Sequence, residues 1–197
     1  MEVFDTQDKG RGTRALKCFK IGQLVLKSSA NHFVLSNAVR GHMCDFCFFP
    51  SANLSRCSVC KFARYCGRDC QTKAWKSHKN ECKRTAKCCP HLPTDMVRLI
   101  ARILDVKHGV CELEESNDIH SMFERLVSNK EKMSDSRKKG FVDVIAALKL
   151  FLGEDEIQNS SELFDIFGKI SCNSFTISDG EMQPIGEILK QNNFINK

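Results

Sequence analysis

Apolar positions change their rhythm along the chain, and the change divides it. Early on they come in short clusters flanked by turn formers. Gly10-Arg11-Gly12 opens a stretch with β character, and Lys20-Ile21-Gly22-Gln23 predicts a turn. Leu24-Val25-Leu26 and His32-Phe33-Val34-Leu35 predict short strands. Further along the rhythm becomes helical. Thr94 is placed to cap a helix whose Val97, Ile100, Ala101 and Leu104 share one face. Phe141, Ile145, Leu148 and Leu152 mark the buried stripe of a second helix, with Gly153 as its stop. Ser160 or Ser161 would cap a third, carrying Leu163, Phe164 and Phe167. Ile170 to Ile177 then alternates loosely, as a strand does, and ends at the turn pair Asp179-Gly180. Glu187 to Lys197 is rich in Asn and Lys and only weakly periodic. No internal repeat or low-complexity tract interrupts this order.

Composition adds limits. The 197 residues are 42% hydrophobic and 27% charged, enough to bury a core in one domain or two small ones. No apolar run approaches the ~18 residues of a membrane-spanning helix. Met1-Glu2-Val3-Phe4-Asp5 lacks the basic-then-apolar order of a signal peptide, so a reducing compartment is expected. Twelve cysteines then read as metal ligands and spare thiols rather than disulfides. Charge is uneven as well. Between Cys44 and Lys87 ten basic residues face only Asp45, Asp69 and Glu81, giving that segment +7 of a net +6. Eight of the twelve cysteines lie between Cys44 and Cys88. A basic, cysteine-rich module is thus set into a near-neutral host.

The module carries its ligands in pairs: Cys44-x2-Cys47, Cys57-x2-Cys60, Cys66-x3-Cys70 and His78-x3-Cys82. Seven Cys and one His suffice for two tetrahedral zinc sites. Two intervening residues let a tight knuckle aim both sulfurs at one metal. Three intervening residues put both ligands one helical turn apart on the same face. So short a span cannot hold itself together by burial alone, whereas each structural zinc supplies about 10–16 kcal/mol. With all eight positions taken by protein, no coordination place is left for catalysis. Spacing leaves open whether the sites are sequential or interleaved. His42, Cys88, Cys89 and His91 flank the module and could substitute as ligands, although their reading as chance neighbours is favoured.

Cys57-Ser58-Val59-Cys60, Arg64-Tyr65-Cys66, Cys70-Gln71, Ala74-Trp75 and His78-Lys79-x2-Cys82 resemble a MYND zinc finger. The resemblance implies interleaved ligation: one zinc on Cys44, Cys47, Cys66 and Cys70, the other on Cys57, Cys60, His78 and Cys82. It also makes Tyr65 and Trp75 small-core aromatics. The flanks resemble the SET- and MYND-domain lysine methyltransferases. Lys9-Gly10-Arg11-Gly12-x-Arg14-Ala15 is similar to the first SET motif, and Cys172-Asn173-Ser174-Phe175-Thr176-Ile177 to the start of the second half of the SET core. The implied fold is α+β, a partial β-rich SET core interrupted by the finger and followed by a helical insertion. Its implied segments are an N-terminal SET part over 1–43, the finger over 44–82 and the insertion over 83–169. The returning core then covers 170–186, and a divergent tail 187–197.

By the same resemblance the cofactor is S-adenosylmethionine. Lys9, Gly10 and Arg11 would approach it with the backbone of a glycine-rich turn. Asn129 and Asn173 match cofactor-contacting asparagines, and His120 falls near a position where relatives carry a contacting Tyr. The substrate would be a histone or another lysine-bearing protein, in the nucleus and cytoplasm. Relatives place an Asn-His-Ser-Cys segment and a channel Tyr beyond Gly186, and neither is present. The only Tyr is Tyr65. A truncated and inactive family member is therefore expected, with its 170–197 segment poorly anchored. The alternative is a non-catalytic interaction module. Fingers of this kind resemble binders of proline-rich peptides, and the +7 segment suggests a weaker contact with nucleic acid, against a simple solvated basic helix around Lys73, Lys76, Lys79 and Lys83.

Overall fold

A computed structural model describes residues 2–7, 10–25, 32–110, 123–157 and 159–189. A ribbon pairs β1 (Glu2–Thr6) with β2 (Gly10–Arg14), Glu2 opposite Arg14. The Lys20–Gln23 turn forms, closed by the Gln23 N–H on the Lys20 carbonyl at 3.0 Å. Leu24 and Val25 are not in a strand; they lie exposed, against expectation, and no described strand pairs with them. Leu26 lies outside the described residues.

β3 (His32–Leu35) follows as predicted. The finger supplies the two-residue strands β4 (Ser55–Arg56) and β5 (Arg64–Tyr65) and leads into α1 (Arg68–Cys88). α1 runs through Cys82 without a break, so finger and host share one helix. α2 (Asp95–Lys107) starts where expected, the Thr94 hydroxyl accepting from the Val97 N–H at 3.3 Å. α3 (Asp135–Leu152) stops at Gly153, whose φ of 105° favours a residue without a side chain. α4 (Ser160–Asn173) is capped by Asn159 rather than by either serine; its side-chain oxygen accepts from Ser161 and Glu162. Helix also continues through Asn173, so the alternating stretch is half helix. Buried Ile166 and Ile170, one turn apart, hold it in that register.

β6 (Ser174–Ser178) and β7 (Pro184–Leu189) form a hairpin whose turn is the predicted Asp179-Gly180. Asp179 Oδ1 accepts from Glu181 and Gln183 N–H, both at 2.9 Å. β7 is the central strand of the sheet β3-β7-β6. Leu189 is 0% exposed and Ile185 5%, so a segment expected to be loose is paired on both sides. Residues 190–197 lie outside the described residues. The main apolar cluster joins α2, α3 and α4 to Val34 and Leu189 of the sheet. No described helix is long and apolar enough to cross a membrane.

Between this body and the finger lies a buried polar seam. Arg98 of α2 donates from Nε to Glu81 of α1 and from Nη1 to the Leu35 carbonyl at 2.8 Å. Its Nη2 stands 3.4 Å from Asp45, and its guanidinium lies 4.8 Å from the centroid of Phe62, in the finger core. Two cations, Arg98 and Arg102, meet two anions, Glu81 and Asp45, and burial is tolerated because the charges balance.

Candidate metal centres

Each centre draws one ligand pair from a knuckle and one from the region where α1 begins or continues. At Cys44 the chain turns tightly, the Phe48 N–H bonding the Cys44 carbonyl at 3.0 Å, which brings Cys47 alongside. The Cys57 turn repeats this geometry, with Lys61 N–H on the Cys57 carbonyl at 3.0 Å. Cys66 follows β5, while Cys70, His78 and Cys82 lie along α1 at spacings of eight and four, on one face.

The structure brings together Cys44, Cys47, Cys66 and Cys70, and separately Cys57, Cys60, His78 and Cys82, the ligand atoms of each set lying within 4.8 Å of one another. Cys47 and Cys66 sulfurs are 3.4 Å apart, as are those of Cys66 and Cys70. In the second set Cys57 and Cys82 sulfurs stand at 3.6 Å, and Cys60 Sγ is 3.6 Å from His78 Nε2. A tetrahedral zinc with bonds near 2.3 Å needs sulfur–sulfur edges of about 3.8 Å, so both sets fit the ion. The interleaved pairing is the observed one. Four ligands of the second centre are buried, whereas Cys66 in the first is exposed.

Electrostatics prepare both centres. Burial pushes the Cys57 thiol up, but the N–H groups of Cys60 and Val59 and the His78 side chain outweigh it, bringing it down to about 6. Cys44 falls to about 7 by the same balance, against burial, through the N–H groups of Cys47, Phe46 and Cys66. Cys66 moves the other way, up to about 12, through hydrogen bonds with the Cys70 and Cys47 thiols. In each centre one cysteine is thus drawn toward its thiolate, and zinc binding releases the protons of the others.

Tyr65 is 2% exposed and belongs to the finger core, with its phenol held neutral by burial and by the charges of Asp45 and Glu81. Trp75 does not belong there. It is 43% exposed and lines a shallow cavity of about 400 Å³ with Val59, Arg68, Gln71 and Thr72. His42, Cys88, Cys89 and His91 join neither centre. Two acids of the seam were not legible as site residues. Both carry a signal: in a basic segment, Asp45 adjoins ligand Cys44 and Glu81 adjoins ligand Cys82.

Of the cofactor candidates, Asn129 and Asn173 meet at one corner. Asn129, at φ 47°, donates to Cys172 Sγ at 3.7 Å, and Asn173 donates to the carbonyls of Val127 at 3.1 Å and Lys169 at 2.7 Å. Those bonds pin the loop to the end of α4. Gly168 permits the approach, since a Cβ there would stand 2.7 Å from the Ser128 carbonyl oxygen. Gly10 and Arg11 lie in β2, opposite Thr6 and Asp5. Lys9 and His120 lie outside the described residues.

Two interleaved four-ligand centres on a short basic segment define a MYND-type zinc-binding finger, and residues 44–82 match the family described as MYND finger. The likeness extends beyond the finger. Over 193 residues the chain is 37% identical to histone-lysine N-methyltransferase SMYD3 of Homo sapiens, covering 94% of this chain and 44% of that protein. It is 36% identical over 193 residues to N-lysine methyltransferase SMYD2-A of Xenopus laevis, covering 96% and 44%. Over the part it spans, the chain is similar to SET- and MYND-domain protein-lysine methyltransferases, and its residues 44–82 belong to the MYND finger family. It spans 44% of the length of these relatives.

Proposed function

We propose that the protein is by descent an S-adenosylmethionine-dependent protein-lysine N-methyltransferase of the histone-modifying kind. These 197 residues would furnish its zinc finger and the first part of its core, without turning over by themselves. The observation that supports this reading is the likeness along 94% of the chain to a histone-lysine methyltransferase. Bound S-adenosylmethionine supplies an electrophilic methyl group. The chain's part would be to hold and orient it: the Asn129 loop, fixed to α4 through Asn173 and Cys172, would offer one contact surface, and the Gly10-Arg11 backbone is added to it by resemblance. Lys9 and His120 are carried in this proposal by resemblance alone. Transfer to a lysine amine also needs a group that helps the amine lose its proton. Tyr65 cannot serve, being buried beside the second centre. Nucleus and cytoplasm are the compartments proposed with this function, on the resemblance alone.

Calorimetry with S-adenosylmethionine, run beside a tritiated-methyl assay on histones, tests the reading. Weak cofactor binding without turnover is expected from these residues. Turnover by them would overturn the inactivity, and absence of binding at millimolar cofactor would leave only the module.

The exposed Trp75 favours a second role, recognition of a protein partner. An extended proline-rich segment has the shape for a shallow apolar cavity walled by an indole and Val59. Trp75→Ala is expected to abolish capture of such peptides without releasing zinc. Nucleic-acid contact through the exposed Lys73, Lys79, Lys83 and Lys87 predicts binding that falls steeply with salt, and a flat salt titration removes it.

A further inference from the structure

Glu81 is 1% exposed, yet nothing in the metal geometry requires an acid there. It sits on α1 between two ligands of the second centre, three residues after His78 and one before Cys82. Its Oε1 accepts from Arg98 Nε at 2.5 Å, and its Oε2 accepts from Arg102 Nε at 3.1 Å. The same Oε2 stands 3.9 Å from His78 Nδ1, longer than a hydrogen bond but close enough for an electrostatic hold. His78 Nε2 faces Cys60 on the opposite side of the ring, inside the centre. A histidine that gives Nε2 to a metal keeps its proton on Nδ1, and a carboxylate facing that proton fixes both tautomer and ring orientation.

The two arginines lead outward to the sheet. Arg98 donates to the Leu35 carbonyl and Arg102 to the Phe33 carbonyl. The Ser36 N–H bonds Ile185 at 2.9 Å, on the β7 side, so alternation turns Phe33 and Leu35 to the other edge of β3. An edge that would otherwise present bare carbonyls is closed by two guanidiniums, and both are held by one carboxylate.

We propose that Glu81 is a positioning residue that orients His78 in the second zinc centre and, through Arg98 and Arg102, couples occupancy of that centre to the pairing of β3 in the host sheet. The first centre is not wired this way. Its link to the seam is Asp45, beside Cys44, which holds the Arg64 N–H at 2.8 Å and stands 3.4 Å from Arg98.

Cadmium-113 NMR on the full chain, wild type against Glu81→Gln, separates the centres, because three sulfurs with one nitrogen resonate apart from four sulfurs. The expected result is a displaced three-sulfur signal, an unmoved four-sulfur signal, and one of two zinc ions released roughly 10- to 100-fold faster to a chromophoric chelator. Equal movement of both signals, or of neither, overturns the positioning role. Graded chelation of the wild-type chain tests the coupling even if the variant does not fold. Amide exchange in the β3–β7 ladder should quicken as the second ion leaves while the β1–β2 ribbon stays unchanged. A ladder indifferent to that ion overturns the coupling.

Discussion

Half of the finger's buried apolar cluster is metal ligand: Cys44, Cys57, Cys60 and Cys82 sit with Phe62, Ala63, Tyr65 and Ala74. Among the described residues, the cluster of α2, α3 and α4 has eighteen buried members, none a cysteine, with Cys88 only partly buried at its edge. The finger therefore borrows its cohesion from coordination bonds, and the host draws its own from packing. Small size forces the first solution, since a short span buries too little apolar surface to offset chain entropy. The difference teaches where each region is vulnerable. One fails when an ion is removed, the other when a methylene is.

The widest separation of the two should come from chelation. Stripping zinc removes about 10–16 kcal/mol per centre near neutral pH. Near-complete amide exchange is expected across 44–82, with protection retained in α2, α3 and α4, by exchange mass spectrometry. Equal loss in both regions would break the distinction. The converse change is Leu148→Ala. Leu148 is 0% exposed in the host core, and truncation there costs about 2–5 kcal/mol. Denaturant midpoints should fall while zinc stoichiometry stays at two.

How much of this was legible follows the same division. Ligand identity is written directly in residue type, so all eight positions could be named, and the interleaving came through family resemblance rather than spacing. Thr94 and Gly153 were legible because a cap and a stop are local chemistry. β1 was not, because Glu2-Val3-Phe4-Asp5-Thr6 carries no alternation and gains its pairing only from β2. Trp75 is not a core aromatic, and periodicity could not show it: seven residues before Cys82, it lies within about 20° of that ligand around the helix, and only the fold leaves it 43% exposed. The Glu81–Arg98 seam joins charges seventeen residues apart. No periodicity marks such a pair, and only the crossing of α1 and α2 creates it.

Two smaller effects sharpen the comparison within the host. Gly168→Ala would set a methyl 2.7 Å from the Ser128 carbonyl, a backbone atom that must move, at a cost of about 1–3 kcal/mol. Exchange should rise in the Asn129 loop and not in the finger. The smallest effect concerns Glu124, held down to about 2 by Lys107, against burial, with Lys169 adding to the hold. Its folded pKa lies below the unfolded 4.5, so its stabilisation is present above that pH and is lost as pH falls toward about 2. Glu124→Gln should flatten that part of the host's acid-unfolding curve. The unchanged variant curve would assign the acid limb to other carboxylates.

The crossed order of the ligands has one more consequence. A cut between Cys47 and Cys57 is bridged by the first metal alone, and a cut between Cys70 and His78 by the second alone. The stretch from Cys60 to Cys66 is spanned by both. Lys61 offers trypsin an exposed site within it, at a φ of 56°. A chain severed there would remain one particle, its halves clasped by two ions as well as by the β3–β7 ladder, and loss of either ion alone would not part them.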